Sequence, residues 1–225
     1  ITLADRKLIP ILSIMDPEIT LSLPSEHTAG TGNDALTHAI ESYTCTLSNP
    51  LIDGIALYAI ELIAKYFKEA VNNGSNLEAR AGMMLGSLLA GVAFHNTGLG
   101  AVHSIGEVMG GIFDIPHGIS MAIFLPYVLD YNKDADPKKH AKIAQALGVD
   151  IRGISNIEAI TNGIKFIKEL NREINIPSLS SLNVTPDNFG SMADLCMKHV
   201  CTPFNTKPIN REIYEEIYKK AYEAK

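Results

Sequence analysis

The chain has 225 residues, 46% of them hydrophobic, with 25 acidic against 19 basic side chains and a net charge of −6. That supports one large domain or two small ones around a proper core, and an acidic surface without a basic run sets nucleic acid aside as a partner. Three cysteines, Cys45, Cys196 and Cys201, form no CxxC pair and point to a reducing, cytoplasmic setting without disulfides or a zinc knuckle.

Residues 8–14, LIPILSI, are the one candidate strand, weakened by Pro10. MDPEITLSLPSEHTAGTG, with two Pro and two Gly, reads as a long irregular segment. A helix is expected from NDALTHAIESYT, with Asn33 or Asp34 near its N-cap. After the break at Asn49-Pro50, LIDGIALYAIELIAKYFKEAVNNG carries apolar residues at helical spacing up to Gly74. Ser75 and Asn76 restart a helix through LEARAGMMLGSLLAGVAFHN, whose small residues (Gly82, Gly86, Ala90, Gly91) let a second helix approach closely. GLGAVHSIGEVMGGIF reads as a short helix ending at Gly110-Gly111, and Pro116 suits the first turn of another running to Asn132. Residues 137–147, 155–173 and 186–200 form three more amphipathic segments, and Pro208 precedes a polar C-terminal helix. Seven or more helices with at most one short strand make an all-α bundle. SLLAGVAFHNTGLGAV is interrupted by His, Asn and Gly, which argues against a membrane span. No signal peptide is recognisable. The start at Ile1 without Met reads as internal to something longer.

Four residues carry the chemistry: Asp34, His38, His103 and His117. Asp34 and His38 are four apart, so a helix sets both on one face. One carboxylate and three imidazoles suit a borderline divalent cation such as Fe(II) or Zn(II). Each ligating imidazole needs a partner for its second nitrogen, and Glu41, Ser42 and Ser104 are the nearby candidates. Spacing alone fits more readily a solvated Asp beside a surface His, with His103 a satisfied core histidine. His27, in the irregular segment, and His95 and His199 have weaker claims, and His140, among lysines, reads as surface.

HTAGTGNDALTHAIESYTCTLSNPLIDGIAL, the stretch from LEARAGMM to IPHGISMAIFLPYV, and the ending CTPFNTKP…EIYEEIYKKAYE resemble the iron-dependent alcohol dehydrogenase family over essentially the whole chain. The resemblance implies a helical C-terminal domain of the dehydroquinate synthase-like fold. Residues 1–24 would be linker and strand from an N-terminal domain that binds NAD or NADP, and residues 25–225 the metal-binding domain. It places the family's metal ligands on Asp34, His38, His103 and His117. The family usually has a proton-relaying His four residues after the third ligand. Glu107 stands there instead, as a relay, a further ligand or a tolerated variant. Asn33 and the NTK at 205–207 are smaller departures. Phe94 and Cys201 match substrate-pocket positions, though each alone reads as core residue and buried thiol. The activity implied is hydride transfer between a small primary alcohol or diol and NAD(P), with no covalent nucleophile and a homo-oligomer permitted. A zinc-dependent glycerol dehydrogenase, a bifunctional aldehyde–alcohol dehydrogenase and a non-catalytic metal-binding module are the rival readings.

Overall fold

The computed structural model describes residues 9–224. Among them are nine α-helices and no strand: α1 (Ser25–Thr44), α2 (Pro50–Asn72), α3 (Leu77–His95), α4 (Ala101–Phe113), α5 (His117–Asn132), α6 (Pro137–Ala146), α7 (Asn156–Glu173), α8 (Phe189–Cys196) and α9 (Arg211–Glu223). Single 3-10 turns lie at Pro17–Thr20, Leu179–Ser181, Pro186–Asn188 and Thr202–Phe204. Helices α1, α2 and α3 pack against one another, α5 crosses α1 and α4, and α8 and α9 close the far side. Leu36, Ile40, Ile60, Ile63, Phe67, Ile105, Met109 and Phe124 are fully buried between them. The Tyr218 ring stacks on Phe189 at 5.5 Å and meets Phe124 edge-on at 5.4 Å, which ties α9 to α5 and α8.

Most helix starts are set locally. Asn49, Asn76, Asp136, Ser155 and Asn210 each accept a hydrogen bond from the backbone N–H three residues on. Helix α5 runs unbroken through Pro126. A proline there cannot donate to the carbonyl of Ala122, and Asn171 of α7 supplies the missing donor, its Nδ2 lying 2.6 Å from that oxygen. Arg80 of α3 is buried without a carboxylate and donates instead to Gly74 O, Thr28 Oγ1 and Leu23 O, tying the segment before α1 to the bundle.

Several expectations are corrected. Residues 9–14 form no strand, the chain bending at Ile9 and Ile11, and Ile11, Leu12 and Ile14 are largely exposed; Leu8 lies outside the described residues. Helix α1 begins at Ser25, eight residues before Asn33, which is buried mid-helix and donates to Ala29 O. The Gly and Thr of TAGTG do not break the chain, because Thr28 and Thr31 bond back to carbonyls four residues earlier. Gly32 makes room for a neighbour: a Cβ there would sit 2.2 Å from the Phe67 ring. Helix α4 passes Gly110-Gly111 and ends at Phe113, where Asp114 turns left-handed at φ 54°. The segment 186–200 is α-helical only over α8, preceded by the 3-10 turn at Pro186–Asn188, and turns after Cys196 lead to Cys201.

His140 is buried, not superficial: it shares the inner face of α6 with Ala141, Ile143 and Ala144, and its Nδ1–H donates to Asp136 O at 2.9 Å. Helix α3 is long and apolar enough to cross a membrane by length and composition. Here it packs against α1 and α2 and carries the buried Arg80.

Candidate metal centre

Asp34 lies midway along α1, with His38 one turn on. His103 comes from the first turn of α4 and His117 from the first residue of α5. What brings α5 to α1 is the absence of a side chain: a Cβ on Gly118 would fall 2.0 Å from the carbonyl oxygen of Gly30. Backbone therefore meets backbone one residue from His117.

Asp34, His103 and His117 each offer a ligand atom within 4.8 Å of the others. Asp34 Oδ1 stands 3.6 Å from His103 Nε2 and 3.3 Å from His117 Nε2. His38 is held beside this trio: its Nδ1 is 3.7 Å from Asp34 Oδ2, and its ring stacks on His103 at 4.6 Å and on Phe94 at 4.4 Å. The cluster is closed behind His103, 2% exposed, and open at His117, 41% exposed. Asp34 Oδ1 and His103 Nε2 are buried without hydrogen-bond partners. Two orphaned polar atoms facing each other are costly unless something satisfies both, and a divalent cation fits this oxygen-and-imidazole set.

Glu41 fixes the geometry. It is buried one turn beyond His38 on α1, and its Oε2 accepts from His103 Nδ1–H at 2.7 Å and from Gly100 N–H at 3.0 Å. Its Oε1 accepts from Val102 N–H at 2.7 Å. One carboxylate thus caps α4 from a different helix and turns the Nε2 of His103 toward Asp34. Of the three second-nitrogen candidates only Glu41 serves an imidazole; Ser42 bonds His38 O and Ser104 bonds Gly100 O. Asn205, accepting from Ala101 N–H at 3.3 Å, is a supporting residue with no spacing signal in the sequence.

Electrostatics follow from burial and charge together. Burial alone would raise the Asp34 carboxyl, but the imidazoles of His103, His117 and His38 beside it outweigh burial and hold it well below its usual range. Burial, with help from His103, pulls His38 down to about 4, leaving a neutral imidazole. Burial also opposes charge on His103, but Asp34 and Glu41 overcome it and raise that imidazole to about 9.

Glu107 lies one turn beyond His103 on α4, 2.9 Å from His199 Nε2. The Cys201 backbone N–H is 3.3 Å from His199 Nδ1, so the turn after α8 links Glu107 to Cys201. Burial, then the Glu41 and Glu107 charges, push the Cys201 thiol up to about 12. It is no nucleophile at neutral pH. His27 is exposed on α1 and His95 exposed at the end of α3, both outside the cluster.

A helical bundle with a carboxylate–imidazole cluster at the meeting of α1, α4 and α5 describes a class of metal-site domain. The chain belongs to the Fe-containing alcohol dehydrogenase family, whose C-terminal region is matched by residues 28–222. It is 41% identical over 215 residues to 1,3-propanediol dehydrogenase of Klebsiella pneumoniae, covering 95% of this chain and 56% of that protein. It is 36% identical over 218 residues to the NAD-dependent methanol dehydrogenase of Bacillus methanolicus, covering 96% of this chain and 57% of that one. A crystal structure of 1,3-propanediol oxidoreductase superposes with a TM-score of 0.90 at 41% identity, over 92% of this chain and 54% of that one. The chain thus spans little more than half the length of these relatives.

Proposed function

We propose that this chain is the metal-holding half of an NAD(P)-dependent dehydrogenase acting on small primary alcohols or diols, with Asp34, His38, His103 and His117 as ligands. The observation that carries the reading is the pair of buried, unpartnered ligand atoms, Asp34 Oδ1 and His103 Nε2, facing each other with His117 Nε2 alongside. Residues 1–24 connect to a nucleotide-binding domain, and the helical domain begins with α1. The diol and methanol dehydrogenases among the relatives support the substrate class and the nicotinamide cofactor.

Fe(II) or Zn(II) held there supplies Lewis acidity toward an alcohol or carbonyl oxygen. This chain's residues do the rest of the local work. Asp34 contributes the anionic charge, Glu41 holds the His103 ring so that Nε2 faces Asp34, and His38 is neutral and ready to ligate. Phe94, stacked on His38, excludes water from one side, and the neutral Cys201 thiol contributes wall. Neither GTG at 30–32, which lies inside α1, nor GLG at 98–100, between α3 and α4, has the strand–turn–helix setting of a phosphate loop. The hydride acceptor is therefore held by the other half, and the site faces the cleft between the two.

Elemental analysis and activity together test this. The chain alone should retain one divalent cation and oxidise no alcohol with NAD or NADP, while the full-length gene product should do both. His103→Ala and His117→Ala should each weaken metal binding by roughly an order of magnitude or more, with exposed His27→Ala as the unaffected control. NAD-linked turnover by the chain alone refutes the division of labour, and full metal content in both His→Ala variants refutes the ligand set.

A further inference from the structure

We infer that Asn205 is a positioning residue for the ligand cluster: the loop Phe204–Pro208 fastens together the three helices that carry the ligands, and Asn205 holds the first turn of α4, from which His103 projects. The inference rests on the ligand reading above and adds what keeps His103 in place from the C-terminal side.

Helix α4 has no cap of its own. Gly100 stands at its N-cap position and offers no side chain. Two side chains from other parts of the chain take its first N–H groups instead. Glu41 accepts from Gly100 and Val102, and Asn205 Oδ1 accepts from Ala101 between them. Both acceptors close on one point: a Cβ on Gly100 would fall 3.0 Å from Glu41 Oε1 and 3.0 Å from Asn205 Oδ1. His103 lies in this turn, and its Nδ1–H meets the same Glu41 carboxylate.

The amide of Asn205 is itself held on every side. Asn205 and Asn132, the last residue of α5, are each 4% exposed. The two amides join head to tail: Asn132 Nδ2 donates to Asn205 Oδ1 at 3.0 Å, and Asn205 Nδ2 donates to Asn132 Oδ1 at 2.9 Å. Asn205 Nδ2 also donates to Lys207 O at 2.8 Å. The position needs an acceptor toward Ala101 and donors toward Asn132 and Lys207, which a primary amide supplies and a carboxylate or alkyl group does not. A buried amide with all four of its bonds made is costly to move.

The rest of the loop ties in α1 and α5. Thr206 Oγ1 donates to Thr44 O at 2.8 Å, and Phe204 O accepts from Thr46 N–H at 3.0 Å. On the other side the Tyr131 hydroxyl donates to Pro208 O, and Lys207 Nζ pairs with Asp134 at 2.9 Å. Five consecutive residues thus bond to α1, α4, α5 or the residues just beyond them, and these are the helices of Asp34 and His38, of His103 and of His117. A segment that contributes no ligand sets the spacing of the elements that do.

The test reads two quantities on the full-length gene product: Zn(II) affinity, by competition with a chromophoric chelator, and the His103 Nδ1–H signal of the metal-free protein, by NMR. Asn205→Ala should weaken Zn(II) binding about 10-fold, the lower end for loss of a group that orients a ligand, and should shift the Nδ1–H signal. Asn132 reaches α4 only through Asn205 in this network, so Asn132→Ala should shift the same signal. The double variant should be no worse than Asn205→Ala alone. Ile160→Ala, in the separate apolar cluster of α6 and α7, is the control for lost stability. It should lower the urea midpoint and leave affinity and signal as in wild type. Wild-type affinity and signal in Asn205→Ala overturn the inference, and so does an equal loss of affinity in Ile160→Ala. Additive losses in the double variant overturn the link through Asn132. If Asn205→Ala does not fold, an unmoved His103 signal in Asn132→Ala overturns the inference. A wild type that holds no Zn(II) removes the ligand reading and this inference with it, whereas a metal-binding wild type indifferent to Asn205→Ala removes this inference alone.

Discussion

Asp34 Oδ1 and His103 Nε2 lie 3.6 Å apart, too far for a hydrogen bond, and both are buried. What keeps them aligned is Glu41, whose two oxygens accept three donors around the start of α4. Glu41→Gln keeps the volume but removes the charge and leaves one oxygen where there were two. Metal affinity should fall about 10- to 100-fold, read by competition with a chromophoric chelator. Affinity equal to wild type would show that His103 needs no orientation from α1.

His140 yields a different kind of prediction, because it is buried and lies outside the cluster. Burial holds its folded-state pKa below that of an ordinary imidazole, the Asp136 backbone contact opposing only in part. The unfolded chain therefore takes up a proton first, near pH 6.5. The stability this neutral imidazole contributes is fully present above that pH and is lost as pH falls through and below it. Denaturant unfolding at pH 7.5 and 5.5 should show a larger drop in wild type than in His140→Gln, which cannot titrate. Equal drops would mean the imidazole is as easily protonated folded as unfolded.

At the scale of elements, α5 is the helix on which most depends, since it carries His117 and contains Pro126. The carbonyl of Ala122 loses its helical donor to the proline and regains one from Asn171. Asn171→Ala should cost about 1–3 kcal/mol, the penalty of a buried acceptor left unpaired, measured as a shift in urea midpoint. Replacing Pro126 with Ala in the same background should return part of that loss, because the helix then supplies its own N–H. A cost that is the same with and without the proline would break the link between the two residues. Gly118→Ala tests the other end of α5: the added carbon meets the Gly30 carbonyl, which cannot move aside as a side chain can. Metal affinity should fall with the displacement of His117.

The helices themselves were legible, because apolar periodicity and Asn, Asp and Ser caps mark most of their boundaries to within a residue or two. The start of α1 was hidden because glycine has two uses. Gly30 and Gly32 read as turn residues, yet they sit inside a helix where two neighbours come close. In the cluster, Asp34 and His38 are visible as a pair from their spacing. That His103 and His117 join them depends on the packing of α1, α4 and α5, which no local pattern encodes; residue type suggested the set and resemblance to a family strengthened it. Glu41 was visible only as one of three candidates. His199 was passed over because its contact with Glu107 spans residues 107 to 199 and leaves no periodic trace.

For the molecule as a whole, the candidate strand was a correct reading of residue type with the wrong outcome. Ile11, Leu12 and Ile14 have the composition of a strand, but a strand needs a neighbour for its backbone and a face for its side chains. The described residues supply neither, and these three side chains stand 106%, 75% and 82% exposed. Ile19 on the adjoining 3-10 turn is 73% exposed as well, so apolar surface runs along the whole approach to α1. Such a strip favours association with any surface able to cover it. The chain alone should therefore self-associate in a concentration-dependent way by light scattering after size exclusion. Replacing Ile11, Leu12 and Ile14 together with Ser should shift it toward monomer and leave the helical circular dichroism unchanged, since none of the three contributes to the core between α1 and α9. A wild-type chain that stays monomeric across the accessible concentration range would show that this strip is not sticky enough to need a cover, and would weaken the case that residues 1–24 lead into a further domain.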